Sequence, residues 1–96
     1  AASVDPAAAL ASFASYERSA AELTATLERR RGALDPNTLA VLERTLRTID
    51  GAIAEAREAL ATDPGNAAVQ GFVATAYRQK IDFLRRANDV AAELGS

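Results

Sequence analysis

Chemistry in this chain has to come from carboxylates, arginines and two tyrosines. Cys, Met, His and Trp are all absent. That removes thiol nucleophiles, disulfides, imidazole bases and ordinary zinc, haem or iron–sulfur ligation. Glu55 and Glu58 stand three apart, and Asp82 and Asp89 seven apart. Paired carboxylates at such spacings could hold calcium or run a hydrolysis. Acids at helical spacing with Arg between them more often form a solvated face, and we read them that way. The corner Asp63-Pro64-Gly65-Asn66 is rich in oxygen but lacks the alternating acidic ligands of a calcium loop. We expect no catalytic residue, no metal site and no cofactor.

Arg29, Arg30 and Arg31 form the densest basic cluster, and Arg85 with Arg86 a second. Eleven basic residues stand against thirteen acidic ones, net −2. That balance gives no electrostatic case for nucleic acid or for an anionic membrane surface. Cations at a helix end, on its negative pole, explain the first cluster better.

The elements that must carry these groups are helices. About a quarter of the chain is Ala, the strongest helix former, and Gly and Pro are few. All three prolines follow an aspartate: Asp5-Pro6, Asp35-Pro36 and Asp63-Pro64. Asp accepts hydrogen bonds from the free N–H groups of a first helical turn, and Pro suits the first helical position. Asp5, Asp35 and Asp63 are therefore the expected helix caps. Leu34 and Leu39 flank the second cap at hydrophobic-staple spacing, and Gly32 follows the arginines where a helix should end. Helices are predicted at roughly 6–31, 36–61 and 64–94. Short connections make neighbours antiparallel.

Periodicity agrees. Leu39, Leu42, Leu46, Ile49, Ile53, Ala56 and Leu60 alternate three and four apart, a coiled-coil stripe. Leu10, Phe13, Tyr16, Ala20, Leu23 and Leu27 mark the first helix. Val69, Phe72, Val73, Ala76, Tyr77, Phe83, Leu84, Ala87, Val90 and Leu94 mark the third, a wider face suited to two neighbours. Helices of ~26 residues are ~39 Å long, so the expected fold is all-α, an elongated antiparallel three-helix bundle forming one domain over residues 1–96. Residues 1–5 and 95–96 are expected to be frayed or to derive from cloning. The missing initiator Met and leader fit a processed or excised chain. No run reaches the ~20 apolar residues of a membrane span.

Folding the second and third helices about Asp63 brings Asp50 near Tyr77. Lys80 lies one turn further and interrupts the apolar stripe. The plain reading is a lysine that snorkels to solvent. The sharper one is a half-buried network of Asp50, Tyr77 and Lys80 that fixes helix register. The Ala-rich start offers a flat face, Ala7, Leu10, Ala11 and Ala14, for self-association with a second copy, by close contact or by helix swapping.

The 63–66 corner is also similar to a tetratricopeptide junction. That repeat needs helices of about a dozen residues and a 34-residue period. Here the last helix runs on unbroken through Lys80-Ile81-Asp82-Phe83-Leu84, so an array is rejected.

From Tyr16 to Leu94, about four fifths of the chain, the sequence resembles the C-terminal, extracytoplasmic region of bacterial membrane-bound zinc-finger anti-sigma factors. Leu34-Asp35-Pro36 with Thr38 carries the likeness, then Ile49-Asp50 with Ala52-Ile53 and Glu55-Ala56. Ala59-Leu60, Asp63-Pro64, Asn66 and the run from Tyr77 to Ala87 complete it. The resemblance implies an outer domain behind a membrane helix and a cytoplasmic zinc-finger domain that holds an extracytoplasmic-function sigma factor. No zinc ligand and no membrane helix lie in this chain, so the sigma factor is reached only through an absent N-terminal domain. The implied role is a non-enzymatic sensory or protein-interaction domain on the periplasmic or envelope face of an inner-membrane protein. It binds a protein partner or self-associates as a homodimer, without touching nucleic acid or membrane itself. The competing expectation is a cytoplasmic helical adaptor or scaffold. An enzyme would need a cleft with perturbed carboxylates.

Overall fold

The computed structural model describes residues 4–95, and all regular structure among them is helical. The elements are α1 (Pro6–Ala11), α2 (Ala14–Arg29), a 3-10 turn (Arg31–Ala33), α3 (Pro36–Thr62) and α4 (Ala67–Leu94). The molecule measures 57 × 20 × 15 Å. The expected fraying concerns in part residues 1–3 and 96, which lie outside the described residues.

Two caps follow the Asp-Pro rule. The Asp5 carboxylate accepts from the Ala7 N–H, and that of Asp35 from the Thr38 N–H at 2.9 Å and the Thr38 hydroxyl at 2.7 Å. Those bonds hold the Asp35 carboxyl below its ordinary pKa, backbone donation being the larger cause. Asp63 departs from the rule. It closes α3, its N–H donating to the Ala59 carbonyl, and α4 begins three residues later than predicted. Asn66 is the cap there, its side-chain oxygen accepting from the Ala68 and Val69 N–H groups. Its amide donates to Asp63 Oδ2 at 3.0 Å, which ties the two ends together. A helix starting at Pro64 would leave only Asp63 to reverse the chain. Pro64 and Gly65 supply that reversal.

The helix predicted over 6–31 is broken at Ser12 and Phe13. Ser12 turns its hydroxyl back to the Ala9 carbonyl at 2.6 Å, an alternative to the helical ladder. Phe13 leaves helical geometry with ψ 8° and buries its ring. The break lets α1 pack on α3 while α2 packs on α4. Burying a large aromatic outweighs the few tenths of a kcal/mol per residue that Ala propensity offers for an unbroken helix. At the far end α2 stops at Arg29, and one 3-10 turn brings Leu34 into the core next to half-buried Leu39.

The core lies in two clusters along α4. Phe13, Ile53, Leu60, Val73, Ala76 and Tyr77 fill one end. Ala20, Leu27, Leu34, Ile81, Leu84, Ala87 and Ala91 fill the other. α4 packs against both α2 and α3, whereas α2 and α3 barely touch. The coiled-coil stripe of α3 is therefore only partly covered: Ile53 and Leu60 are buried, while Leu39, Leu42, Leu46 and Ile49 stay half-buried. In α4, Phe72, Val90 and Leu94 turn out exposed rather than internal.

Candidate functional site

Polar groups concentrate where the two core clusters meet, on the side where α2 and α3 part. The floor there is α4, with Tyr77 and Lys80. Ala20, Ala21, Thr24 and Ala25 of α2 form one wall, and Asp50 and Ile53 of α3 the other. Together they enclose an open cleft of about 530 Å³.

The Asp50, Tyr77 and Lys80 network divides in two. Lys80 Nζ lies 2.7 Å from Asp50 Oδ1, one turn beyond the level of Tyr77. The lysine side chain is 21% exposed and the aspartate 52%, so the lysine is the more buried partner. Tyr77 belongs to a different set. Its hydroxyl donates to Glu17 Oε1 at 2.7 Å and accepts from Arg57 Nη1 at 2.7 Å. Arg57 Nη1 also pairs with Glu17 Oε1. Glu17 sits on α2, Arg57 on α3 and Tyr77 on α4, so one triad clasps all three long helices. The register between α2 and α4 decides this, and two helices that are not sequence neighbours give no hairpin from which to read it.

The ring of Tyr77 stacks in turn. Its centroid lies 5.8 Å from Phe13 and 6.0 Å from Tyr16, with interplanar angles of 22° and 6°. Three of the five aromatic residues thus gather at the start of α2. Arg78 Nη1 reaches the Tyr16 hydroxyl at 3.4 Å. Burial pushes the Tyr77 hydroxyl above its ordinary pKa, the bond to Glu17 adds to this, and Arg57 opposes it. A phenol held further from ionisation is a poor base or nucleophile near neutrality. The triad is built to hold helices together.

A third anchor lies further along α4. Asn88 is 5% exposed and donates its amide to the carbonyls of Leu23, at 3.0 Å, and Leu84, at 2.9 Å. Arg30 Nη1 donates to the Asn88 carbonyl at 3.3 Å. An Asn four residues beyond Leu84 on the apolar face was a readable signal. A polar residue there must find partners or pay desolvation.

The remaining candidates stay apart. Glu55 and Glu58 are exposed on α3, and Asp89 is exposed on α4. Asp82 pairs with Arg85, at 3.9 Å. Arg31 pairs with Glu43 at 2.9 Å and Glu28 at 3.7 Å, across the α2-to-α3 connection. Arg29 donates to Thr26 Oγ1. These arginines staple a helix end. Leu10 packs into the Phe13 cluster, whereas Ala7 and Ala11 are exposed. The expected self-association face has thus lost its largest side chain to the core. Among the described residues, no group of three or more acidic side chains could hold a metal ion, and no helix is long and apolar enough to cross a membrane.

No family model, no curated protein and no solved structure matches this chain.

Proposed function

We propose that this chain is a non-enzymatic sensory and protein-interaction domain, built as an elongated antiparallel three-helix bundle with a short leading helix. It forms the envelope-facing part of a transmembrane anti-sigma factor that regulates an extracytoplasmic-function sigma factor. The observation that carries the sensory half is the open cleft between α2 and α3, with the Glu17–Tyr77–Arg57 clasp at one end and Arg31–Glu43 at the other. α2 has one long helical neighbour, α4, whereas α3 packs on α4 and on α1. The element best able to shift is therefore α2. A partner that prefers the bundle with α2 displaced would move the equilibrium by the difference in its affinities for the two states.

The location rests on the sequence resemblance and its matched residues, Asp35-Pro36, Asp50, Asp63-Pro64 and Tyr77 to Ala87. Zinc and sigma-factor contacts belong to the absent cytoplasmic domain. The test is protease treatment of intact spheroplasts carrying the epitope-tagged full-length parent. Removal of this domain while the cytoplasm stays sealed is the expected result. Protection, with the parent in the soluble fraction, would replace this reading with a cytoplasmic adaptor.

A further inference from the structure

Apart from Val4, ahead of α1, the exposed large apolar side chains lie on the side of the α3–α4 hairpin turned away from α2. Val41 is 53% exposed, Phe72 66%, Val90 43% and Leu94 58%. Phe72, Phe83, Val90 and Leu94 recur at spacings of eleven, seven and four, which puts them on one flank of α4. Phe83 is half-buried on the same flank. From Phe72 to Leu94 the stripe runs about 33 Å. Apolar side chains scattered singly need no explanation, but an aligned stripe of this length does.

Lys80 lies opposite Asp50 and the two helices are antiparallel, so Val41 is level with Val90, Arg44 with Arg86, and Glu55 with Thr75. Arg44, Arg86 and Glu55 are all exposed and have no ion pair among the described residues. The face therefore bears two free cations towards one end and a free carboxylate towards the other.

We propose that a second copy of this chain covers this face, antiparallel, about a two-fold axis passing close to Ile81. That axis sets Phe72 of each copy against Val41 and Val90 of the other. It also brings each Glu55 level with Arg44 and Arg86 of the second copy. The charges are self-complementary under this symmetry, as an isologous interface requires. The interface uses α3 and α4 and leaves the α2–α3 cleft free. It stands independently of the sigma-factor reading.

Sedimentation equilibrium of the chain at micromolar to millimolar concentration tests it. The expected mass is twice that of one chain. Phe72→Glu and, separately, Val41→Lys should return a monomer with unchanged helical circular dichroism, since both side chains are exposed. Glu55→Arg should weaken association at least tenfold, and adding Arg44→Glu with Arg86→Glu should restore it. The chain has no cysteine, so Phe72→Cys combined with Val90→Cys gives a clean cross-link. The two thiols are about 27 Å apart in one chain, so any disulfide must join two. A single-chain mass across the whole range overturns the proposal. So does a dimer that survives both Phe72→Glu and Val41→Lys but is broken by Ala21→Glu in the cleft.

Discussion

Asp50→Ala should cost more than Lys80→Met, and the two together should cost little more than Lys80→Met alone. Lys80 is the more buried partner and Asp50 is half in water. At 2.7 Å the bare attraction is roughly 1.5 kcal/mol in water and roughly 6 kcal/mol at an effective dielectric of 20. Desolvation and side-chain entropy cancel most of that. Exposed pairs retain about 0.2–1 kcal/mol, and breaking a buried pair costs about 3–5 kcal/mol. This half-buried pair falls between. Removing Asp50 strands an ammonium in the cleft, at about 2 kcal/mol, and Ala returns about 0.5 kcal/mol in helix propensity. Lys80→Met keeps the apolar stem and leaves an aspartate that water can solvate, so about 0.5 kcal/mol is lost. With a urea m-value of about 1.5 kcal/mol/M, Asp50→Ala should lower the midpoint by roughly 1 M. Lys80→Met and the double variant should stay within roughly 0.4 M of the parent. Urea unfolding followed at 222 nm reads all three. Costs that add to within about 0.3–0.5 kcal/mol would refute the coupling. A greater cost for Lys80→Met would refute the assignment of the buried end.

Leu60 is fully buried between α3 and α4, and Leu60→Ala should remove about 2–5 kcal/mol. That is a large share of the roughly 5–10 kcal/mol expected for a chain of this size, so thermal melts should show a fall of more than 10 °C. Asp35 ionises below its ordinary value because its carboxylate caps α3. Its contribution is therefore present above pH 4 and lost as pH falls through the lowered folded value. Acid titration by circular dichroism should show this loss, and Asp35→Asn, which still caps, should remove it. Tyr77 ionises above its ordinary value. In a Tyr16→Phe background its absorbance change near 295 nm should be displaced to higher pH than that of a free tyrosine. Stability should fall across that same range, because the unfolded chain loses the proton first.

Much of the architecture was legible because it is local. Asp5 and Asp35 act through the next three residues, and the α3 bounds follow from Asp35-Pro36 and Asp63-Pro64. The Asp50–Lys80 pair was legible because one short turn fixes the register of α3 against α4. The start of α4 was misplaced because Asp63 and Asn66 compete for one cap, and only the space needed to reverse the chain decides between them. The break at Phe13 was hidden by Ala on both sides, since its cause is tertiary. Glu17 and Arg57 were missed for a related reason. Their meeting with Tyr77 depends on how α2 lies along α4, which no short turn constrains. The exposed Phe72, Val90 and Leu94 share the helical period of the core, so periodicity alone could not separate the two faces.

Native-state hydrogen exchange across a range of urea concentrations is the most direct test of α2 as the element that responds. Amides of α2 should exchange through a sub-global opening, at a free energy below that of α3 and α4, which should exchange only on global unfolding. Glu17→Gln should lower the α2 opening energy further and leave α3 and α4 nearly unchanged. Exchange of α2 and α4 at one common free energy, in the parent and in Glu17→Gln alike, would contradict the account.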